Sequence, residues 1–291
     1  MSPRERKPPW LKVAAPGGEE YSRVKGTLVS LRLHTVCQEA HCPNVGECWG
    51  EGTATVILLG DTCTRGCRFC AVTSGHPSPP DPSEPASVAE AVRRLGLRYV
   101  VLTMVNRDDL PDGGAGHVAE TIRRLHESGD GLLVEALVGD FAGRREDVHR
   151  VVDARPEVFA HNVEVVRRVT RAVRDARCSY DRSLQVLRWA KERAPERFVK
   201  SSIMVGAGET DAEVTEALRD LRSAGVDLVT IGQYLRPSDK HLRVDRYVEP
   251  AVFDDYREQA LELGFEFAAS GPLVRSSYRA AEVFVRARAR A

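Results

Sequence analysis

Six of the chain's seven cysteines fall between positions 37 and 70, and they fall in two groups of three. Cys37, Cys42 and Cys48 form a CxxxxCxxxxxC triple; Cys63, Cys67 and Cys70 form CxxxCxxC. Three is the constraining number. A structural zinc site closes with four ligands, whereas three thiolates on a 4Fe-4S cluster leave one iron free to bind something else. The rest of the chain is therefore expected to house two open clusters.

Bulk properties agree with such a role. At 291 residues and 42% hydrophobic content the chain can bury the core of one large α/β domain. Lys plus Arg equals Asp plus Glu at 42 each, so nothing favours a polyanionic partner, and nucleic acid is disfavoured. No run reaches the roughly 18 apolar residues of a membrane span, and the first ten residues lack the apolar stretch of a signal peptide. The expected compartment is the cytoplasm, where reductants keep thiols available as ligands. Cys178 stands apart and reads as a small hydrophobe.

Short continuous apolar runs, the pattern of strands buried on both faces, occur at Ala54–Gly60, Tyr99–Val105, Leu132–Val138, Val158–Asn162, Phe198–Val205, Leu228–Tyr234 and Phe265–Ala269. Amphipathic helical stretches follow at Ser87–Leu95, Gly116–His126, Glu146–Asp153, Val165–Asp175, Ser183–Arg193, Asp211–Ser223 and Pro250–Leu263. The alternation fits a (β/α) barrel or a doubly wound sheet. Polar and glycine-rich segments after strands favour the barrel, and fewer than eight units make it incomplete. Ahead of it, the prolines of Arg6-Lys7-Pro8-Pro9-Trp10-Leu11-Lys12 predict an extended arm packed through Trp10. A helix is expected over Tyr21–Arg32, then a loop carrying the first cysteine triple. Gly75–Pro85 reads as a surface connection and Val283–Ala291 as a frayed helix.

The CxxxCxxC loop directly after the first barrel strand, with Phe69 before its third cysteine, resembles the radical S-adenosylmethionine enzymes. That resemblance implies an α/β fold, a partial (β/α)6-type TIM-like barrel over residues 54–270 with extensions at 1–53 and 271–291. It also implies a 4Fe-4S cluster on Cys63, Cys67 and Cys70 whose open iron chelates S-adenosylmethionine. One-electron reduction then releases a 5′-deoxyadenosyl radical.

The second triple narrows the resemblance to the lipoyl synthase family. Further matching segments run through the chain: Arg107-Asp108-Asp109-Leu110, His161-Asn162-Val163-Glu164, Met204 to Thr210, Gly232 to Ser238 and Arg275-Ser276-Ser277-Tyr278. By resemblance, Cys37, Cys42, Cys48 and Ser277 hold an auxiliary 4Fe-4S cluster that is consumed as sulfur source. A serine oxygen is a harder donor than thiolate and suits such a cage less well. The implied reaction inserts two sulfur atoms, at C6 and C8, into an octanoyl chain on a carrier lysine. Implied partners are an octanoylated lipoyl carrier domain (glycine cleavage H protein or 2-oxoacid dehydrogenase E2), a low-potential donor such as ferredoxin or flavodoxin, and an iron-sulfur carrier. Arg107, Asp109, Asn162, Glu164, Lys200, Gln233 and Arg236 are the candidates for contacts to S-adenosylmethionine.

Plainer readings stand beside these. Asp108, Asp109 and Asp112 suit turns and helix caps, Thr210 with Glu213 suits a capping box, Arg-Ser-Ser-Tyr suits a polar turn and His41 an exposed loop. Gln38 and Asn106 depart from residues common in the family. The alternatives are a radical enzyme resembling biotin synthase, which lacks the first triple, and a structural zinc on Cys37, His41, Cys42 and Cys48.

Overall fold

The computed structural model describes residues 7–13, 17–35, 44–50, 55–129 and 131–277. Strands β2 (Thr55–Leu58), β3 (Tyr99–Met104), β4 (Leu133–Leu137), β5 (Val158–Ala160), β6 (Phe198–Val205), β7 (Leu228–Gln233) and β8 (Phe267–Gly271) pair in parallel, each with its sequence neighbour. The two-residue β1 (His34–Thr35) adds an antiparallel edge against β2. Helices α1 (Glu19–Ser30) and α2 (Val45–Gly50) precede the parallel strands. Helices α3 (Glu84–Leu95), α4 (Ala115–Glu127), α5 (Arg145–Asp153), α6 (Tyr180–Arg193), α7 (Asp211–Ser223) and α8 (Pro250–Glu262) follow β2 to β7 in turn. The result is six β/α units and a closing strand, a partial (β/α)6 barrel left open between its edges among the described residues.

Period-two alternation sorts the strand side chains into two layers. Val100, Leu102, Val134, Phe159, Val199 and Ile231 belong to the large core that packs beneath the helices. Tyr99, Val101, Val158 and Leu228, with Leu133, Phe198 and Phe267 against them, form a separate cluster inside the barrel. Local sequence sets the helix ends. Thr210 accepts from Glu213 N at 3.3 Å while Glu213 Oε2 accepts from Thr210 N at 2.8 Å, the expected capping box of α7. Asp112 accepts from Gly114 N and Gly116 N at 2.9 and 2.8 Å, so its role is to hold the start of α4.

Four expectations are corrected. The arm is anchored by buried Leu11, in a 3-10 turn over Pro9–Leu11, whereas Trp10 is 36% exposed. Cys48 lies in α2, not in a loop, and the next residue, Trp49, is buried with its ring 4.9 Å from that of Tyr21. The helix expected over Val165–Asp175 is only a 3-10 turn (Arg167–Val169) and one further helical turn (Thr170–Val173). The reason is that Glu164 stays bonded along β6, with its N on Ser202 O at 3.2 Å and its O accepting from Met204 N at 2.7 Å.

The fourth correction concerns Lys200. It sits near the start of β6, at the barrel end away from the strand C-termini, where its Nζ donates to Glu135 at 2.7 and 2.9 Å. Tyr99 OH donates to the same carboxylate at 2.6 Å. Lysine and glutamate are both buried, so the pair satisfies itself inside the barrel and has no reach to a cofactor at the opposite end. Removing one member of such a pair strands a buried charge. Lys200→Met is expected to lower unfolding free energy by about 3–5 kcal/mol in urea titrations. The triple change Lys200→Met, Glu135→Leu, Tyr99→Phe is expected to recover most of it, and equal stability of single and triple variants would contradict this account.

Candidate active site

The chain leaves β2 through a kink. Leu59 and Gly60 adopt φ of 71° and 93°, a conformation that costs a leucine about 1–2 kcal/mol. The buried Glu84 carboxylate holds it there, accepting from Leu59 N at 2.8 Å and from His117 Nε2 at 2.6 Å. Thr62–Cys63 then pairs with Thr73–Ser74, and Gly75 N donates to Cys63 O at 2.9 Å. The loop so closed carries all three cysteines of CxxxCxxC at the C-terminal ends of the strands.

Two of its sulfurs meet backbone N–H. Cys63 Sγ accepts from Arg65 N at 3.4 Å and Asn106 N at 3.3 Å, and Cys67 Sγ from Asp175 N at 3.3 Å. Such donors stabilise anionic sulfur, and a three-thiol donor set with no fourth ligand on the loop fits an open 4Fe-4S cluster. Burial pushes the Cys70 thiol up to about 11, so metal binding must displace its proton.

Beneath the loop lies an ion network that motif reading did not single out. Arg65 is buried, donating through Nη2 to Asp140 Oδ1 at 2.6 Å and Asp108 Oδ1 at 2.7 Å. Burial alone would raise the Asp140 carboxyl, but Arg65 overrides it and holds the group below the usual carboxylate range. Asp175 accepts from Gly66 N at 2.8 Å, and Arg177 donates to Thr64 O at 2.6 Å. On the other side, Leu242 N bonds Arg68 O at 2.8 Å and His241 Nε2 donates to Cys70 O at 3.0 Å. The loop is thereby stitched to the segments after β3, β4, β5 and β7.

An open cleft of about 470 Å³ adjoins the loop, lined by Arg65, Met104, Asn106, Asp140, His161, Asn162, Glu164 and Arg174 among others. Asn162 Nδ2 donates to Glu164 Oε1 at 3.2 Å, and Glu164 takes φ 69°. Burial raises the Glu164 carboxyl. A second cleft of about 600 Å³, between Arg32, His34, Asp61, the Pro77–Pro80 segment and Glu84, carries none of the cysteines.

The other expected cofactor residues are distributed unevenly. Arg107 is buried and bonded to Asp109 at 2.7 Å and to Leu59 O at 3.4 Å, a strut behind the kink. Gln233 Nε2 donates to Val205 O, Tyr234 O and Arg246 O while its Oε1 accepts from Val248 N, so the amide ties the 234–248 segment to the strand ends. Arg236 donates to His241 O and Asp239 within that segment. Asn162 and Glu164 alone of the set line the cleft.

Of the first triple, Cys37 and Cys42 lie outside the described residues, as do His41 and Tyr278. Cys48 is buried, and Ser277 is half-buried in the turn after β8. Asn44 Nδ2 joins their segments by donating to Leu273 O at 2.7 Å, across 229 residues of sequence. The same turn sits on β7, where a Cβ on Gly232 would lie 2.0 Å from Val274 O.

His161 is buried, its Nδ1 donating to Val138 O at 2.8 Å and its Nε2 accepting from Ser183 Oγ at 2.9 Å, which in turn accepts from Arg174. Burial and the Arg174 guanidinium lower its pKa to about 4. Between pH 6.5 and 4 the unfolded chain binds a proton that the folded chain refuses, so stability falls as pH drops through that window. The urea midpoint of the wild type is expected to fall more steeply from pH 7 to pH 5 than that of His161→Gln; parallel slopes would refute the assignment.

Comparison with known proteins now bears on this geometry. The model of the radical SAM superfamily matches residues 57–232, and that of the N-terminal domain of lipoyl synthase of the same family matches residues 1–42. Lipoyl synthase of Sorangium cellulosum (strain So ce56) is 65% identical over 96% of this chain and 79% of its own. That of Anaeromyxobacter dehalogenans (strain 2CP-C) is 61% identical over 97% of this chain and 96% of its own. Among solved structures, Streptococcus suis SuiB bound to S-adenosylmethionine aligns with a TM-score of 0.57 at 10% identity, covering 78% of this chain and 54% of that one, which bears on fold alone. Identity of 61–65% sustained over almost every residue admits one assignment: the chain belongs to the lipoyl synthase family of radical S-adenosylmethionine enzymes.

Proposed function

We propose that this chain inserts two sulfur atoms, at C6 and C8, into an octanoyl group borne on a lysine of a lipoyl carrier domain. Two 4Fe-4S clusters and S-adenosylmethionine, when bound, supply the radical that removes hydrogen from those carbons and the sulfur that replaces it. Cys63, Cys67 and Cys70 would hold the first cluster. Cys37, Cys42, Cys48 and Ser277 would hold the second, whose sulfur is a substrate of the reaction. Asn162 and Glu164 would take polar groups of S-adenosylmethionine in the cleft, while Arg107, Asp109, Gln233 and Arg236 brace the loops around it. In this reading residues 1–53 and 271–291 are extensions to a barrel of 54–270. The carrier would be the glycine cleavage H protein or a 2-oxoacid dehydrogenase E2 domain, with ferredoxin or flavodoxin as electron donor and an iron-sulfur carrier to rebuild the spent cluster, in the cytoplasm. Among the described residues no helix is long and apolar enough to cross a membrane.

The supporting observation is the Asn44–Leu273 bond. Unactivated C–H bonds demand that the radical source and the sulfur source reach the same carbon, so the two ligand sets must share one mouth. The C-terminal turn bearing Ser277 packs on β7, at the barrel end where the CxxxCxxC loop emerges, and the same turn holds the segment bearing Cys48.

The two ligand sets can be separated by assay. An octanoyl-lysyl carrier peptide is incubated anaerobically with reductant and S-adenosylmethionine, and products are read by mass spectrometry. Cys63→Ala is expected to abolish 5′-deoxyadenosine. Ser277→Ala is expected to keep it within a few-fold while the sulfur-bearing peptide falls at least tenfold. Wild-type sulfur insertion by Ser277→Ala would remove Ser277 from the reading.

A further inference from the structure

Cations without carboxylate partners gather on the exposed side of the cysteine loop. Arg68, between Cys67 and Cys70, is exposed. Its N donates to Val173 O at 2.9 Å, its O accepts from Leu242 N at 2.8 Å and its Nη1 donates to Ala172 O at 3.0 Å. Those bonds hold two further segments against the loop, and both bring exposed cations: Arg171 precedes Ala172, and Lys240 and Arg243 flank His241 and Leu242. Among the described residues no carboxylate pairs with any of the four. The acids on these segments are few: Asp175 is taken by Arg177 at 2.8 Å and Asp239 by Arg236 at 3.3 Å, which leaves Asp245. In a chain whose charges balance at 42 each, this is a local excess of positive charge. None of the four cations lines the cleft beside Asn162 and Glu164.

We propose that Arg68, Arg171, Lys240 and Arg243 form the docking face for an acidic one-electron carrier protein, which loses one electron there as the cluster on Cys63, Cys67 and Cys70 gains it. The inference rests on the reading of those three cysteines as ligands. Like charges on adjoining segments repel, and a partner of opposite sign relieves that repulsion while steering its own approach. Electron-transfer encounters are small and transient, so a patch built on three short segments is enough. Position selects this partner over the octanoylated carrier. The octanoylated carrier has to deliver its lysine into the cleft, which these side chains do not line, whereas an electron donor has only to come close to the cluster. Arg68 is next to Cys67 in the chain, so a protein seated on this face lies against the ligand loop itself and leaves the cleft open to substrate.

The test uses the full-length protein with both clusters reconstituted anaerobically, as wild type, as the triple variant Arg171→Glu, Lys240→Glu, Arg243→Glu, and as the corresponding triple change to Gln. Binding is read by titration calorimetry with an oxidised flavodoxin as the acidic probe. The dissociation constant is expected to rise at least about tenfold in the Glu triple and less in the Gln triple, and the wild type is expected to lose affinity between about 50 and 300 mM salt more steeply than the Gln triple. Cluster reduction is then followed by rapid-freeze electron paramagnetic resonance of the signal that responds to added S-adenosylmethionine. Reduction by reduced flavodoxin is expected to slow in step with binding, while reduction by dithionite, which needs no docking, stays within about twofold of wild type. Unchanged flavodoxin affinity in the Glu triple would overturn the proposal, and so would an equal slowing with dithionite. Weakened binding of the octanoylated carrier domain with flavodoxin affinity intact would give the face to that partner and overturn it too. Survival of the responsive signal in Cys63→Ala would remove the ligand reading, and the proposal with it.

Discussion

The arrangement of this site depends on one buried cation. Arg65 lies inside CxxxCxxC, and a guanidinium cannot be sealed from water unless its donors are matched. Asp108, from the loop after β3, and Asp140, from the loop after β4, do the matching. The three residues therefore fix the cysteine loop relative to two neighbouring strands, and the backbone N–H groups of Asn106 and Asp175 fall against sulfur as a consequence. Loops usually concede precision to mobility; this one is tied at both ends and underneath.

The barrel divides its interior by chemistry. At one end Lys200, Glu135 and Tyr99 satisfy each other among apolar neighbours, which makes that end a plug. At the other, Asn106, Asn162, Glu164 and Arg174 line an open cleft beside the cysteines. A reaction that needs a radical kept from solvent is served by a floor that is dry and paired and a mouth that is polar and reachable. The left-handed backbone at Leu59 and Glu164 falls at two of the places where the chain leaves the sheet to build that mouth, as expected of strain held at a working site.

The termini complete the mouth from outside. Asn44 reaches Leu273, and the turn over 271–275 presses on β7 so closely that only glycine fits at 232. The described parts of these two segments bond to each other and pack on the end of β7.

What the sequence by itself determined was periodicity and spacing: seven apolar runs that became parallel strands, the capping box at Thr210, the cap at Asp112, and two sets of thiols at ligand spacing. These are local properties, carried by neighbours in the chain. What only tertiary structure decided was partnership. Lys200 looked like a cofactor contact because it sits on a strand, yet the end of the strand it occupies put it against Glu135. Gln233 and Arg236 were candidates for a ligand, and their polar groups bond instead to β6 and to the segment that follows β7. Asp140, Asp175 and Cys178 carry no motif, and they meet the cysteine loop only because consecutive strands bring their following loops to one rim. Burial and pairing are properties of distance in space, which a pattern along the chain does not encode.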